Sequence, residues 1–231
     1  MGKFNKEFFV KLLAEFLASL FVQFVGCSVA SWYTVSLAYS FGWGGSVIAA
    51  TQAFRIVSGA HINPCISVAA MIMKNVEVVD GFLYILMQLL GSACGFGISY
   101  GFVRFENSTN FCVTQVIIKP WWKSIFLELY TTGAWVLAMC ASWNKANETM
   151  LETISLRIGI VVTACNLAGG AYTGASMNPF RSLWPAIAAS YWGYIYIYIA
   201  VPLVTSILLS VAWRFLYLQG KDENAEAAGG E

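Results

Sequence analysis

The feature that most constrains this chain is a ten-residue block that occurs twice. The run SGAHINPCIS at 58–67 returns as TGASMNPFRS at 173–182, with the two Asn residues 115 positions apart. Each block reads as a helix start. Asn63 and Asn178 are N-cap residues, and Pro64 and Pro179 are preset for the first helical position. Gly59 and Gly174 supply the turn in front. A capping Asn spends its side-chain carbonyl on a free backbone N–H, which leaves both N–H bonds of its amide pointing outward at a positive helix end. The apolar run Cys65–Met73 stops at Lys74, and the run after Asn178 reaches Ser190. At about 1.5 Å per residue, such pieces cover roughly half of a hydrocarbon core about 30 Å thick. Both read as half-helices that end near a membrane midplane.

Composition agrees. The chain has 231 residues, of which 58% are hydrophobic and 11% charged, too little polar surface for a soluble domain. A net charge of +1 without a basic cluster argues against nucleic acid as a partner. His61 is the only histidine, which excludes a multi-histidine metal site and a two-histidine relay. No cofactor motif or catalytic constellation is present, so the chain does not read as an enzyme. Of the six cysteines, Cys27, Cys94, Cys140 and Cys165 fall inside apolar spans and read as reduced packing residues. Cys112 falls in a polar loop and Cys65 at the midplane turn.

Taken in order, the spans are predicted at about Phe8–Ala30, Trp43–Val57, Gly81–Phe102, Ser124–Ala141, Ile154–Ala168 and Tyr191–Leu218, with Ser31–Gly42 as an uncharged loop. The first span follows Lys3, Lys6 and Lys11 without a cleavage site and reads as uncleaved. Glu15 stands 48 residues before Asn63, and Glu128 stands 50 before Asn178, so the repeat reaches beyond the two blocks. An ionisable group inside a span costs about 2.5 kcal/mol or more and faces the interior with a partner. Gly91, Ala93, Gly95 and Gly97 are small residues of the kind that let helices approach closely in lipid. Three spans and a half-helix, repeated, insert in opposite orientations because three is odd. The expected fold is all-α: six transmembrane helices plus two re-entrant half-helices in an inverted repeat. One channel domain spans 1–231, with repeats at about 8–102 and 124–218 and a disordered tail at 219–231.

The paired Asn-Pro blocks resemble the aquaporins, or major intrinsic proteins, which carry two Asn-Pro-Ala boxes on re-entrant half-helices. Here the boxes are Asn63-Pro64-Cys65 and Asn178-Pro179-Phe180. The resemblance implies that the two Asn amides face one lumen, orient a passing water and stop a proton chain, while the half-helix N-termini repel cations. It assigns a selectivity filter to Trp43, Asn166, Ala175 and Arg181. Water-selective relatives have Phe and His at the first two of these positions and glycerol-conducting ones have Trp and a small residue. Trp43 is glycerol-like and Asn166 fits neither pattern. Trp43 also reads as an aromatic of the interfacial belt. The resemblance makes Glu15 and Glu128 loop supports, with Gln88 in the same network and His61 in a structural role. Ser182 and Ala186 look water-type. Leu183-Trp184 departs from the family pattern before Pro185.

The function so implied is a passive channel for water, and for glycerol or similar small neutral solutes, acting as a homotetramer in the lipid bilayer. Plasma membrane and cytoplasmic termini follow from the resemblance and from Lys3, Lys6 and Lys11. Arg104, Lys119 and Lys123 argue for the opposite orientation. Asn107 is then the glycosylation position, since Asn147 lies on the other face. Two other readings stay open. One is a junction or adhesion protein whose lumen is closed by Phe180. The other is a proton-coupled transporter, which the supporting roles of the span acids disfavour.

Overall fold

The computed structural model describes residues 5–32, 37–103, 110–144, 147 and 152–218. Asn107 and the 219–231 tail lie outside them. Among the described residues every regular element is helical, as lipid demands of a backbone that must satisfy its own polar groups. The first half comprises α1 (Lys6–Trp32), α2 (Leu37–Ser58), the short α3 (Pro64–Ile72) and α4 (Val78–Phe102). The second comprises α5 (Lys123–Ser142), α6 (Ile154–Thr173), the short α7 (Pro179–Ala188) and α8 (Ile195–Ala212), which continues as a π-helical segment, Trp213–Leu218. Five helices are long and apolar enough to cross a membrane, namely α1, α4, α5, α6 and α8 with its extension. The sixth long helix, α2, is the one rich in glycine and hydroxyl side chains, and it packs between α1 and α6.

Two boundaries differ from the sequence reading. Residues 37–42, read as loop, are the first turns of α2, whose Tyr39 and Ser40 are buried against the bundle. The fifth span runs on to Thr173, because Gly174 in a left-handed conformation (φ 84°) supplies the C-cap. The small residues of α4 act where they touch α1: a Cβ on Gly91 would lie 2.2 Å from the Phe16 carbonyl oxygen, and one on Gly95 2.2 Å from that of Leu20. Any larger residue there would push the helices apart.

The cysteine reading needs correction at three positions. Cys27 on α1 is bonded to Cys112, with Cα atoms 5.2 Å apart, although 85 residues separate them. The loop that carries Cys112 does not stay in solvent but folds into one mouth of the bundle, where Cys112 is buried. Cys94 is exposed on the outer face of α4, whereas Cys65, Cys140 and Cys165 are free and buried.

Candidate functional site

The two half-helices start as their sequences dictate. Asn63 Oδ1 accepts from the Cys65 N–H (2.9 Å) and Asn178 Oδ1 from the Phe180 N–H (3.0 Å), with Pro64 and Pro179 at the first helical positions. Their amide donors are used differently from the sequence expectation. Asn63 Nδ2 donates to the Met177 carbonyl (2.8 Å) and Asn178 Nδ2 to the Ile62 carbonyl (3.3 Å). Each Asn therefore spends one N–H on the carbonyl that precedes the other Asn. The exchange is possible because the two blocks meet head to head across a pseudo-two-fold axis.

The backbone entering each Asn is strained in the same way. Ala60 and Ile62 have φ of 47° and 63°, and Ala175 and Met177 have 44° and 54°. For residues with a Cβ this region is unfavourable, most of all for β-branched Ile62. A buried acid holds each strained turn. Glu15 accepts from the N–H groups of His61 and Ile62 (both 2.9 Å), from Ser58 Oγ (2.7 Å) and from Gln88 Nε2 (2.8 Å). Glu128 accepts from the N–H groups of Ser176 (3.0 Å) and Met177 (3.2 Å) and from Thr173 Oγ1 (2.7 Å). Both acids have no exposed surface. Gln88 also donates to Ser67 Oγ, which lies 3.1 Å from His61 Nδ1, so His61 is tied into the same network.

Arg181, three residues into the second block, is buried beside Trp43. Its guanidinium carbon lies 4.6 Å from the centre of the Trp43 ring, a cation–π distance. Gly26 makes room on the other side, since a Cβ there would fall 2.3 Å from the indole. Trp43 is thus an interior residue and not part of an interfacial belt. Arg181 donates from Nη1 to the Cys112 carbonyl (3.3 Å) and from Nη2 to the Tyr39 hydroxyl (2.5 Å), and its own carbonyl accepts from Gln23 (3.3 Å). Asn166 turns its Nδ2 back to the Val162 carbonyl (3.0 Å), which leaves Oδ1 buried without a partner. With Ala175 these residues border a cavity of about 20 Å³, reaching down to Asn178. That is room for about one water.

Further cavities continue the line. Above Arg181 lies a mouth of about 170 Å³ lined by Tyr39 and Cys112. The small cavity meets Val47, Trp135 and Val162, and one helical turn further along α2, α5 and α6 the residues Thr51, Met139 and Ile158 line another cavity of about 170 Å³. That cavity shares Arg55, Gly59 and Trp143 with a vestibule of about 1030 Å³, where His61 and charged residues such as Lys6 and Glu77 appear. The small cavity and the one lined by Thr51, Met139 and Ile158 thus lie one helical turn apart along the same three helices.

Phe180 is half-buried and does not border the small cavity. Cys65 is fully buried, its carbonyl held by Ser206 Oγ (2.5 Å). Trp184 donates to the Leu89 carbonyl (3.2 Å) and Ser92 Oγ (3.1 Å), so the departure before Pro185 ties α7 to α4.

The comparisons decide the family. The description "Major intrinsic protein" matches residues 4–213. The chain belongs to that family. Aquaporin-2 of Rattus norvegicus is 32% identical over 212 residues, covering 89% of this chain and 78% of that protein. The lens fiber major intrinsic protein of Canis lupus familiaris is 29% identical over 220 residues, covering 92% and 82%. Among solved structures, the aquaglyceroporin from Plasmodium falciparum superposes with a TM-score of 0.75 over 91% of this chain and 95% of that one, at 22% identity. Within this major intrinsic protein, sequence reasoning missed Trp135, Tyr39, Gln23 and the Cys27–Cys112 bond. Only Trp135 left a usable signal, because it stands seven residues after Glu128, as Val22 stands seven after Glu15.

Proposed function

We propose that this integral, multi-pass membrane protein is a passive channel for water that also admits glycerol and similar small neutral solutes. The observation that carries the reading is the head-to-head pairing of two Asn-Pro caps beside a small cavity that Asn178 lines, with Arg181 over Trp43 at its border. A water beside Asn63 and Asn178 accepts one N–H from each, so its own hydrogens point along the path and a relayed proton finds no acceptor. This is the general account of aquaporin-type pores, to which two helix N-termini and Arg181 add a barrier to cations. The pore performs no bond-making or bond-breaking step.

The chain acts as one channel domain of two inverted halves, as a homotetramer in the plasma membrane. We place its termini in the cytoplasm. Lys6 and Lys11 lie in the first turns of α1, and the Cys27–Cys112 bond requires an oxidising compartment on the opposite face.

The test is stopped-flow volume change of vesicles carrying the purified protein, first in a sucrose gradient and then in a glycerol gradient. Water flux well above that of empty vesicles, with glycerol entry following, is the expected result. A second reading, a non-conducting junction or adhesion protein, is favoured by one fact: Asn63 has no exposed surface, so the path is pinched there. Vesicles that respond to neither gradient would establish it.

A further inference from the structure

Among the described residues, a small set of buried side-chain polar atoms has no hydrogen-bond partner, and three of these atoms belong to residues around one cavity. They are Trp43 Nε1 on α2, Trp135 Nε1 on α5 and Asn166 Oδ1 on α6. Each side chain is at most 5% exposed. A buried donor or acceptor left unmade costs about 1–3 kcal/mol, and three such atoms belong to residues bordering about 20 Å³, so a guest that reached them would best answer two donors and an acceptor together. Two donors and one acceptor are the complement of a hydroxyl, which has two lone pairs and one O–H. Water, with two lone pairs and a second O–H to spare, fits that volume, and one hydroxyl of a polyol matches the hydrogen bonds. An ammonium, which has no lone pair to offer, does not.

Volume then decides which hydroxyl compounds pass, and the side chain that takes the volume is Trp135. Val22 and Trp135 occupy matched positions in the two halves, and both border the cavity. The first half contributes a small aliphatic side chain to the lumen and the second an indole. Asn166 is shorter than the histidine of water-selective relatives, and the bulkier Trp135 borders the same small cavity. We propose that Trp135 is a specificity-determining residue of this pore. Its indole sets the width between Arg181 and Asn178, and its N–H joins Trp43 and Asn166 in receiving one hydroxyl at a time.

This rests on the channel reading and is separable from it. Wild type, Trp135→Val and Trp135→Phe are compared in vesicles, with water flux measured in sucrose and solute entry measured in glycerol. Trp135→Val makes the two halves alike and is expected to raise the glycerol-to-water ratio roughly tenfold or more, the scale on which a site discriminates by a methylene or two. Trp135→Phe, keeping most of the bulk, is expected to raise it less. A mere packing role would lower both fluxes together through loss of folded protein, whereas the ratio reports selectivity. If wild type conducts water and Trp135→Val leaves the ratio within about twofold, the proposal is overturned while the channel reading stands. Conduction by Trp135→Val but not by wild type would support the role of Trp135 and overturn the reading of the native chain as a conducting pore. Silence of all three proteins, each monodisperse, would overturn both. Should Trp135→Val fail to fold, Trp135→Leu carries the same test.

Discussion

Replacing Glu15 by Leu removes an acceptor that four donors share. The Ser58 hydroxyl can turn elsewhere, and Gln88 keeps its bond to Ser67. The N–H groups of His61 and Ile62 cannot follow, because Ala60 and Ile62 are locked in positive-φ conformations that aim them at the carboxylate. Two orphaned backbone donors cost about 1–3 kcal/mol each, or roughly 2–6 kcal/mol. Whole-protein stability is on the order of 5–15 kcal/mol, so the variant keeps only part of it. At roughly 2–4 °C per kcal/mol for a chain of this length, the midpoint should fall by about 4–24 °C.

Glu15→Gln is the finer test. Its amide oxygen can serve the His61 N–H and Ser58, while its NH₂ group faces the Ile62 N–H and Gln88. Gln88 can turn over, since its Oε1 is buried without a partner and would then accept from the new amide. One backbone donor remains orphaned, a cost of about 1–3 kcal/mol. Glu128→Gln should behave alike, with its NH₂ group on the side of the longest bond, the 3.2 Å contact from the Met177 N–H. The assay is the midpoint of heat-induced loss of monodisperse protein in detergent, with vesicle permeability measured on the surviving fraction. The Leu variants should lose more than the Gln variants, and solute preference per folded molecule should hardly change. A Glu15→Leu protein that melts within about 2 °C of wild type would refute the support role, as would a shift in selectivity without a loss of stability.

Asn166→His enlarges a side chain that borders the same small cavity as Trp135, so it should suppress glycerol entry more than water flux; a wild type that conducts water but excludes glycerol would sink this expectation. Breaking the disulfide by Cys27→Ala with Cys112→Ser frees the loop whose carbonyl holds Arg181, and the chain-entropy relation for an 85-residue separation sets an upper bound of about 4.6 kcal/mol on the loss. Alkylation of denatured wild type should label four thiols before reduction and six after it, whereas six before reduction would exclude the bond. Sugar is expected on Asn107 and not on Asn147, whose amide is engaged by the Ala141 carbonyl at 2.6 Å; modification of Asn147 would invert the topology.

The parts legible in the sequence are those where one residue type has one use. Asn followed by Pro after a glycine turn starts a helix, and an acid deep in an apolar span needs donors, so the half-helices and their supports could be read from two matched blocks and two matched Glu residues. The fate of the Asn amides was not legible, since it depends on carbonyls 114 and 116 residues away. Cys27 and Cys112 are joined only because the loop folds inward, which no local pattern encodes. Trp135 was marked only by its register with Val22 in the repeat, and helix periodicity hid it for a different reason. In water, an apolar side chain marks the inside of a helix, but in a bilayer the lumen, the bundle core and the lipid face all accept tryptophan. Periodicity is silent there, and Tyr130 on the same helix, 68% exposed, is no less aromatic than Trp135 at 5%.

That ambiguity has a consequence for how the two halves divide their work. The support network is nearly symmetric: Ser58 and Thr173 each give a hydroxyl to the acid while accepting from the N–H of Ala60 or Ala175 at 3.1 Å. Ser67 and Ser182 likewise each bond the side chain six positions earlier, at His61 and Ser176. The proposed filter is not symmetric, since Arg181 stands where the first block has Ile66, and Trp135 where α1 has Val22. Symmetry persists where two backbones must be held in the same strained conformation, because any departure would orphan a buried N–H. It lapses where a side chain faces the solute, because there the surrounding fold does not constrain the choice. The least symmetric pairs are therefore the ones to mutate for selectivity and the most symmetric ones for stability, and the Trp135 and Glu15 experiments test the two sides of that division.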